Sequence, residues 1–211
     1  MQINLRSTDA LLVIDVQNDF CPGGALAVAG GDEIVPVVNA LAERFEHVLL
    51  TQDWHPARHI SFASEHAGRK PFETITVEYG AQTLWPDHCL QHSRGAELHV
   101  ALDVPRAELV LRKGFHRGID SYSAFLENDH RMPTGLAGYL RERGIARLFV
   151  CGLAYDYCVR FSAIDGMELG FECIVVEDAC RAVNLPGSVE QTNADFAKVG
   201  VKRMMSAEIL D

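Results

Sequence analysis

At 211 residues, with 48% hydrophobic and 23% charged side chains, the chain has the make-up of one globular domain over residues 1–211 and excludes a disordered protein. A formal net charge of −10 excludes a basic surface for nucleic acid, and no run approaches the ~20 apolar residues that span a bilayer. The start, MQINLRSTDA, has no basic segment followed by an apolar run, so no signal peptide is expected; the six cysteines, none in a CxxC pair, read as reduced thiols of a cytoplasmic protein.

In chain order, residues 10–16 (ALLVIDV) come first, a nearly continuous apolar run of the kind found in strands covered on both faces. Residues 33–45 carry helical spacing and 47–51 form the next strand. Residues 53–89 are a long irregular stretch, followed by a strand at 108–111 and a second irregular stretch at 114–133. Helix 135–143, strand 148–152, helix 156–169, strand 172–176, helix 188–198 and strand 199–204 complete the pattern. Strands alternating with helices imply an α/β fold, with three α/β/α layers around a central, mostly parallel six-stranded sheet and right-handed crossovers. Long irregular stretches in a compact domain are usually functional, and ligands bind beyond the carboxyl ends of such strands. Residues 15–20, 53–59, 113 and 151–158 should therefore face one crevice.

Cys158 follows strand 148–152 and should start the next helix, where the helix dipole lowers a thiol pKa and free backbone N–H groups can hold an oxyanion. The alternative, a buried structural cysteine, suits Cys151 and Cys173, and Cys158 alone does not decide between the two. Asp15 ends the first apolar run, where an unpaired carboxylate is costly. Set against a thiol, it could take the proton and return it to a leaving amine. Lys113 ends the third strand; a cation there stabilises thiolate and carboxylate, although by itself it reads as a solvated strand end. Asp53, His55 and the more distant His88 are ligand types for zinc, iron or manganese, and His59, four residues after His55, is a possible further ligand. Phe20, Trp85, Tyr122 and Tyr155 could sandwich a flat ring or simply pack the long loops down.

Five segments taken in order carry a resemblance: LLVIDVQNDF with CPGGALAV, TQDWHPARHISFAS, LWPDHC, LRKG and VCGLAYDYCV. Together they resemble the isochorismatase-like cysteine hydrolase superfamily, and within it the nicotinamidase/pyrazinamidase branch, over nearly the whole chain. The resemblance implies a Rossmann-like isochorismatase fold, a triad on Asp15, Lys113 and Cys158, and one divalent metal ion on Asp53, His55 and His88. It also implies a cis peptide between Leu153 and Ala154, with the N–H groups of Ala154 and Cys158 aimed at the oxyanion. Phe20, Trp85, Tyr122 and Leu153 are its expected substrate-binding residues, and nicotinamide its expected substrate, hydrolysed to nicotinic acid and ammonia through a cysteine thioester. Pyrazinamide turnover, NAD salvage and self-association into a homo-oligomer are further expectations. Tyr157 stands before the nucleophile where some relatives carry histidine. Two alternatives compete: another amidase of the superfamily, acting on a carbamoyl or maleamate-type amide, and a non-enzymatic α/β interaction module.

Overall fold

The computed structural model describes residues 3–211. In chain order the elements are β1 (Asp9–Ile14), α1 (Val35–Arg44), β2 (His47–Asp53), β3 (Thr74–Val77), β4 (Gly80–Thr83), β5 (Leu109–Lys113), α2 (Leu136–Glu142), β6 (Arg147–Leu153), α3 (Arg160–Glu168), β7 (Glu172–Arg181), α4 (Ser188–Val199), β8 (Lys202–Met204) and α5 (Ala207–Leu210). The main sheet has six strands in the order β5-β2-β1-β6-β7-β8, every pair parallel. Every residue of β1 and β6 is buried, because a parallel sheet is covered by helices on both faces. Helices α1 and α5 pack together on one face, and α3 and α4 pack together with α3 against β7. Each fully buried Leu, Ile or Val of this core contributes about 1.5–3 kcal/mol relative to exposure. Among the described residues no helix is long and apolar enough to cross a membrane.

The α/β architecture and the six strands agree with the sequence pattern, while several element boundaries depart from it, β8 for one covering only Lys202–Met204 of the expected 199–204. β1 ends at Ile14 rather than residue 16, because Asp15 adopts a left-handed backbone with φ of 46°. The expected helix 156–169 is two pieces, a π-helical turn over Tyr155–Val159 and then α3. β7 runs on to Arg181, past the polar Glu177 and Asp178 that read as its end, with a bulge in its register against β6. Finally, the stretch 53–89 is not wholly irregular: β3 and β4 form an antiparallel hairpin within it.

Strand order reverses between β1 and β6, and the crevice at such a switch point is where α/β sheets bind ligands. Gly152 lets the two strands meet closely there. Its φ is 115°, and a Cβ at this position would stand 2.1 Å from the Ile14 carbonyl oxygen. Asp15 follows β1, Asp53 ends β2, Lys113 ends β5 and the turn carrying Cys158 follows β6, so one sheet edge gathers all four.

Candidate active site and metal centre

Lys113 is the hub of this edge. Its side chain is wholly buried, and Nζ donates to Asp53 Oδ1 (2.5 Å), to the Ser121 carbonyl (2.9 Å) and to Cys158 Sγ (3.5 Å). A fourth neighbour, Asp15 Oδ2, lies 2.8 Å away. An ammonium has only three protons. Asp15 Oδ2 therefore shares that ammonium with the other three, and the Asp15 carboxylate also lies within hydrogen-bond reach of the Cys158 thiol. The second oxygen, Oδ1, accepts from Thr51 Oγ1 at 2.6 Å, and Thr51 Oγ1 accepts from the Asp15 N–H at 3.1 Å.

The charges are interdependent. Burial lifts the Asp15 carboxyl above its ordinary pKa, and the nearby Lys113 only partly offsets this. Burial opposes ionisation of Asp53 too, but Lys113 and then His55 outweigh it and hold that carboxylate well below the usual range. Against its own burial, Lys113 is kept charged by Asp15 and Asp53. The Cys158 thiol is pushed well up by burial, with Lys113 lowering it and Asp15 and Asp53 raising it further. The lowering expected of a thiol at a helix start is thus outweighed. Two buried carboxylates face the sulfur and favour the thiol over the thiolate, so the reaction calls for a base to take the proton.

Beside the hub, Asp53, His55 and His88 present ligand atoms within 4.8 Å of one another. His55 Nδ1 donates to the Gly114 carbonyl (2.8 Å) and His88 Nδ1 to the Pro86 carbonyl (2.8 Å). Both rings thereby turn Nε2 toward Asp53 Oδ2, at 3.5 Å and 3.8 Å. A carbonyl fixing one nitrogen so that the other offers its lone pair is the usual arrangement behind metal-bound histidines. The opposite oxygen of Asp53 is tied to Lys113, and its N–H and carbonyl are gripped by the buried Gln17 side chain (both 2.8 Å). The donor set fits a divalent cation of borderline softness. His59 is arranged differently. Its Nε2 donates to the Ile119 carbonyl (3.1 Å), and its Nδ1 accepts from Ser61 Oγ (2.7 Å). With both nitrogens engaged, it stacks on His55 at 4.2 Å and is kept neutral, burial lowering its pKa to about 4.

Above these groups opens a cleft of about 340 Å³, lined by Phe20, Leu26, Trp85, Tyr122, Ala154, Tyr157 and Val183, with Asp53, His88, Asp120 and Cys158 as its polar side. Phe20, Trp85 and Tyr122 thus all line this cleft. Tyr157 joins this wall, edge-on to Trp85 at 4.8 Å and to Tyr122 at 5.4 Å. Leu153 does not line the cleft: it is wholly buried, its side chain toward Gly31. Tyr155 packs elsewhere, its hydroxyl donating to Asn193 Oδ1 (2.6 Å) and its ring edge-on to Phe196. The Leu153–Ala154 peptide is cis, and the N–H groups of Tyr157 and Val159 both donate to the Ala154 carbonyl (3.0 and 3.1 Å). Thr51, Gln82, Asp120 and the Ser121 carbonyl were not legible as site groups. Of these, only Thr51 belongs to a quoted segment, and a backbone carbonyl leaves no mark in a sequence.

The chain is similar to known proteins over almost its whole length. The Isochorismatase domain family matches residues 9–208. A nicotinamidase of Acinetobacter baylyi is 53% identical over 201 residues, covering 95% of this chain and 94% of that protein. Among solved structures, a nicotinamidase/pyrazinamidase of Acinetobacter baumannii superposes with a TM-score of 0.96 at 53% identity, covering 97% and 99% of the two chains. The PnC1 protein of L. infantum, in complex with nicotinate, gives 0.87 at 38% identity over 99% and 98%. A pyrazinamidase of Pyrococcus horikoshii in complex with zinc gives 0.77 at 34% over 94% and 99%. With a matching family model over almost its full length and the same fold in these relatives, the chain belongs to the isochorismatase family.

Proposed function

We propose that the chain is a metal-dependent nicotinamidase, hydrolysing nicotinamide to nicotinate and ammonia through a thioester on Cys158. The observation that carries this reading is the buried contact set of Lys113, which holds Asp15 and Cys158 on one ammonium at the floor of an aromatic-walled cleft. Asp15 Oδ2 takes the Cys158 proton as Sγ attacks the amide carbon, and the raised pKa of Asp15 suits it to hold that proton. The N–H groups of Ala154 and Cys158 receive the oxyanion. The carbon–nitrogen bond breaks, and Asp15 gives the proton to the leaving ammonia. Water then adds to the thioester with Asp15 again as base, releasing nicotinate and restoring the thiol. Lys113 stays charged throughout and offsets the negative charge on Asp15 or Sγ.

Asp53, His55 and His88 would hold the metal, zinc or else iron or manganese, which when bound supplies a Lewis-acid contact for a ring nitrogen. Phe20, Trp85, Tyr122 and Tyr157 sandwich a planar azine, which favours nicotinamide and pyrazinamide over an acyclic maleamate-type amide. The product, a pyridine carboxylate, fits a salvage step toward NAD in the cytoplasm. The test is ammonia release from nicotinamide. The parent chain should turn over, lose activity to a chelator and regain it with zinc, manganese or iron. Cys158→Ala should release no ammonia while binding metal normally; turnover by that variant would sink the assignment.

A further inference from the structure

The mechanism leaves the hairpin β3–β4 without a part, yet one of its residues reaches into the site from behind. Gln82, on β4, is wholly buried. Its Nε2 donates to Asp120 Oδ2 (2.7 Å) and the Thr83 carbonyl (2.7 Å) and stands 3.2 Å from the Tyr122 hydroxyl, and its Oε1 accepts from the Tyr79 hydroxyl (2.9 Å). The Tyr79 hydroxyl accepts in turn from the Asp120 N–H (3.2 Å). Two branches lead onward. Asp120 Oδ1 accepts from the Ser121 N–H (2.9 Å), and the Ser121 carbonyl is the one that accepts from Lys113 Nζ. On the other side, the Tyr122 hydroxyl accepts from Trp85 Nε1 (3.1 Å), joining two walls of the cleft. A primary amide is costly to bury, and a leucine of similar size would pack a hairpin at less cost. The amide is therefore better explained by what it holds.

We propose that Gln82 is a positioning residue: through Asp120 and Ser121 it sets Lys113 against Asp15 and Cys158, and through Tyr122 it sets the Trp85 wall against the substrate ring. The proposal rests on the amide-hydrolase reading of the cleft. Without the amide, Asp120 Oδ2 loses its side-chain donor, so the carboxylate that holds the Ser121 N–H is less fixed, and with it the carbonyl that Lys113 grips. The chemical step and ring binding should both respond.

The test uses the metal-loaded full chain carrying Gln82→Leu. Two quantities are read: kcat and KM for nicotinamide, and, with no substrate present, the rate at which iodoacetamide alkylates Cys158 across pH, followed by mass spectrometry. We expect kcat to fall about tenfold or more, as loosened positioning does, KM to rise several-fold, and alkylation to slow at each pH because Lys113 supports the thiolate less well. Gln82→Glu is the second variant. Its carboxyl faces Asp120, Tyr122 and Tyr79, and while it keeps a proton it can donate to Asp120 as the amide does. Activity should then approach the parent at low pH and fall as that proton leaves, a limb the parent lacks. A Gln82→Leu protein that melts earlier yet keeps kcat, KM and the alkylation profile overturns the proposal in favour of a purely structural role. If the parent releases no ammonia from nicotinamide, the functional reading fails, and the alkylation profile alone decides the role of Gln82.

Discussion

Glu127, in the loop 114–133, has almost no exposure, and its Oε2 meets no donor among the described residues. Burial raises its pKa from 4.5 to about 7, with a hydrogen bond from Ser121 and then the charge of Lys113 opposing the rise, and Asp120 and Asp53 adding to it. A carboxyl that binds its proton more tightly folded than unfolded costs nothing below the unfolded pKa. It costs progressively more as pH rises from 4.5 to about 7, and the full amount above that. At full strength the difference is about 3.4 kcal/mol, and relaxation and water penetration around the charge reduce it to about 1.5 kcal/mol. Glu127→Gln removes the charge at constant size. It should therefore stabilise the chain by about 1.5 kcal/mol at pH ~8, or roughly 3–6 °C in Tm at this length. The gain should shrink by more than half at pH ~5.5. Urea melts of parent and variant at the two pH values, with chelator present so that only the chain's own charges count, provide the measurement. An equal effect at both pH values, or a variant less stable than the parent at the higher one, would refute the reasoning.

Gly152→Ala should lower stability by about 3 kcal/mol or more, since the new Cβ meets backbone at a positive φ. A loss under about 1 kcal/mol in urea would show that β6 can shift away from β1. Asp156 sits in the nucleophile turn and accepts from the N–H groups of Val183 (2.9 Å) and Asn184 (2.8 Å) and from Ser188 Oγ (2.5 Å). Asp156→Ala should cost about 1–3 kcal/mol of stability and raise KM more than it lowers kcat, because Val183 walls the cleft. An unchanged KM in the folded variant counts against that link. His59→Ala should retain one metal ion per chain in elemental analysis, with affinity weakened at most ~100-fold; complete loss of metal would make His59 a ligand after all.

Much of this molecule could be read from the chain. Apolar runs such as ALLVI mark a doubly covered parallel strand because both faces of the sheet must be buried, and the alternation with helices then dictates layers, crossover hand and the edge at which ligands bind. Asp15, Asp53, Lys113 and Cys158 were visible for the same reason: each is a polar or reactive residue at or just beyond the end of such a strand. His55 and His88 were visible as ligand types, whereas the partners of the two His59 nitrogens, Ser61 and the Ile119 carbonyl, are set by the packed chain and not by the DWHPARH segment. Tertiary structure also decided the protonation of the nucleophile. The turn before α3 suggests a depressed pKa, yet burial together with the carboxylates of Asp15 and Asp53, distant in sequence, pushes the Cys158 thiol up. The hairpin stayed hidden because its strands are only four residues each: TITV alternates but is too short to mark a strand by itself, and GAQT carries no alternation of apolar residues. Local pattern determines which elements form, because it sets backbone preference and which side is buried. Which groups share a proton, a metal or a wall depends on residues dozens of positions apart, and only the packed chain brings them within bonding distance.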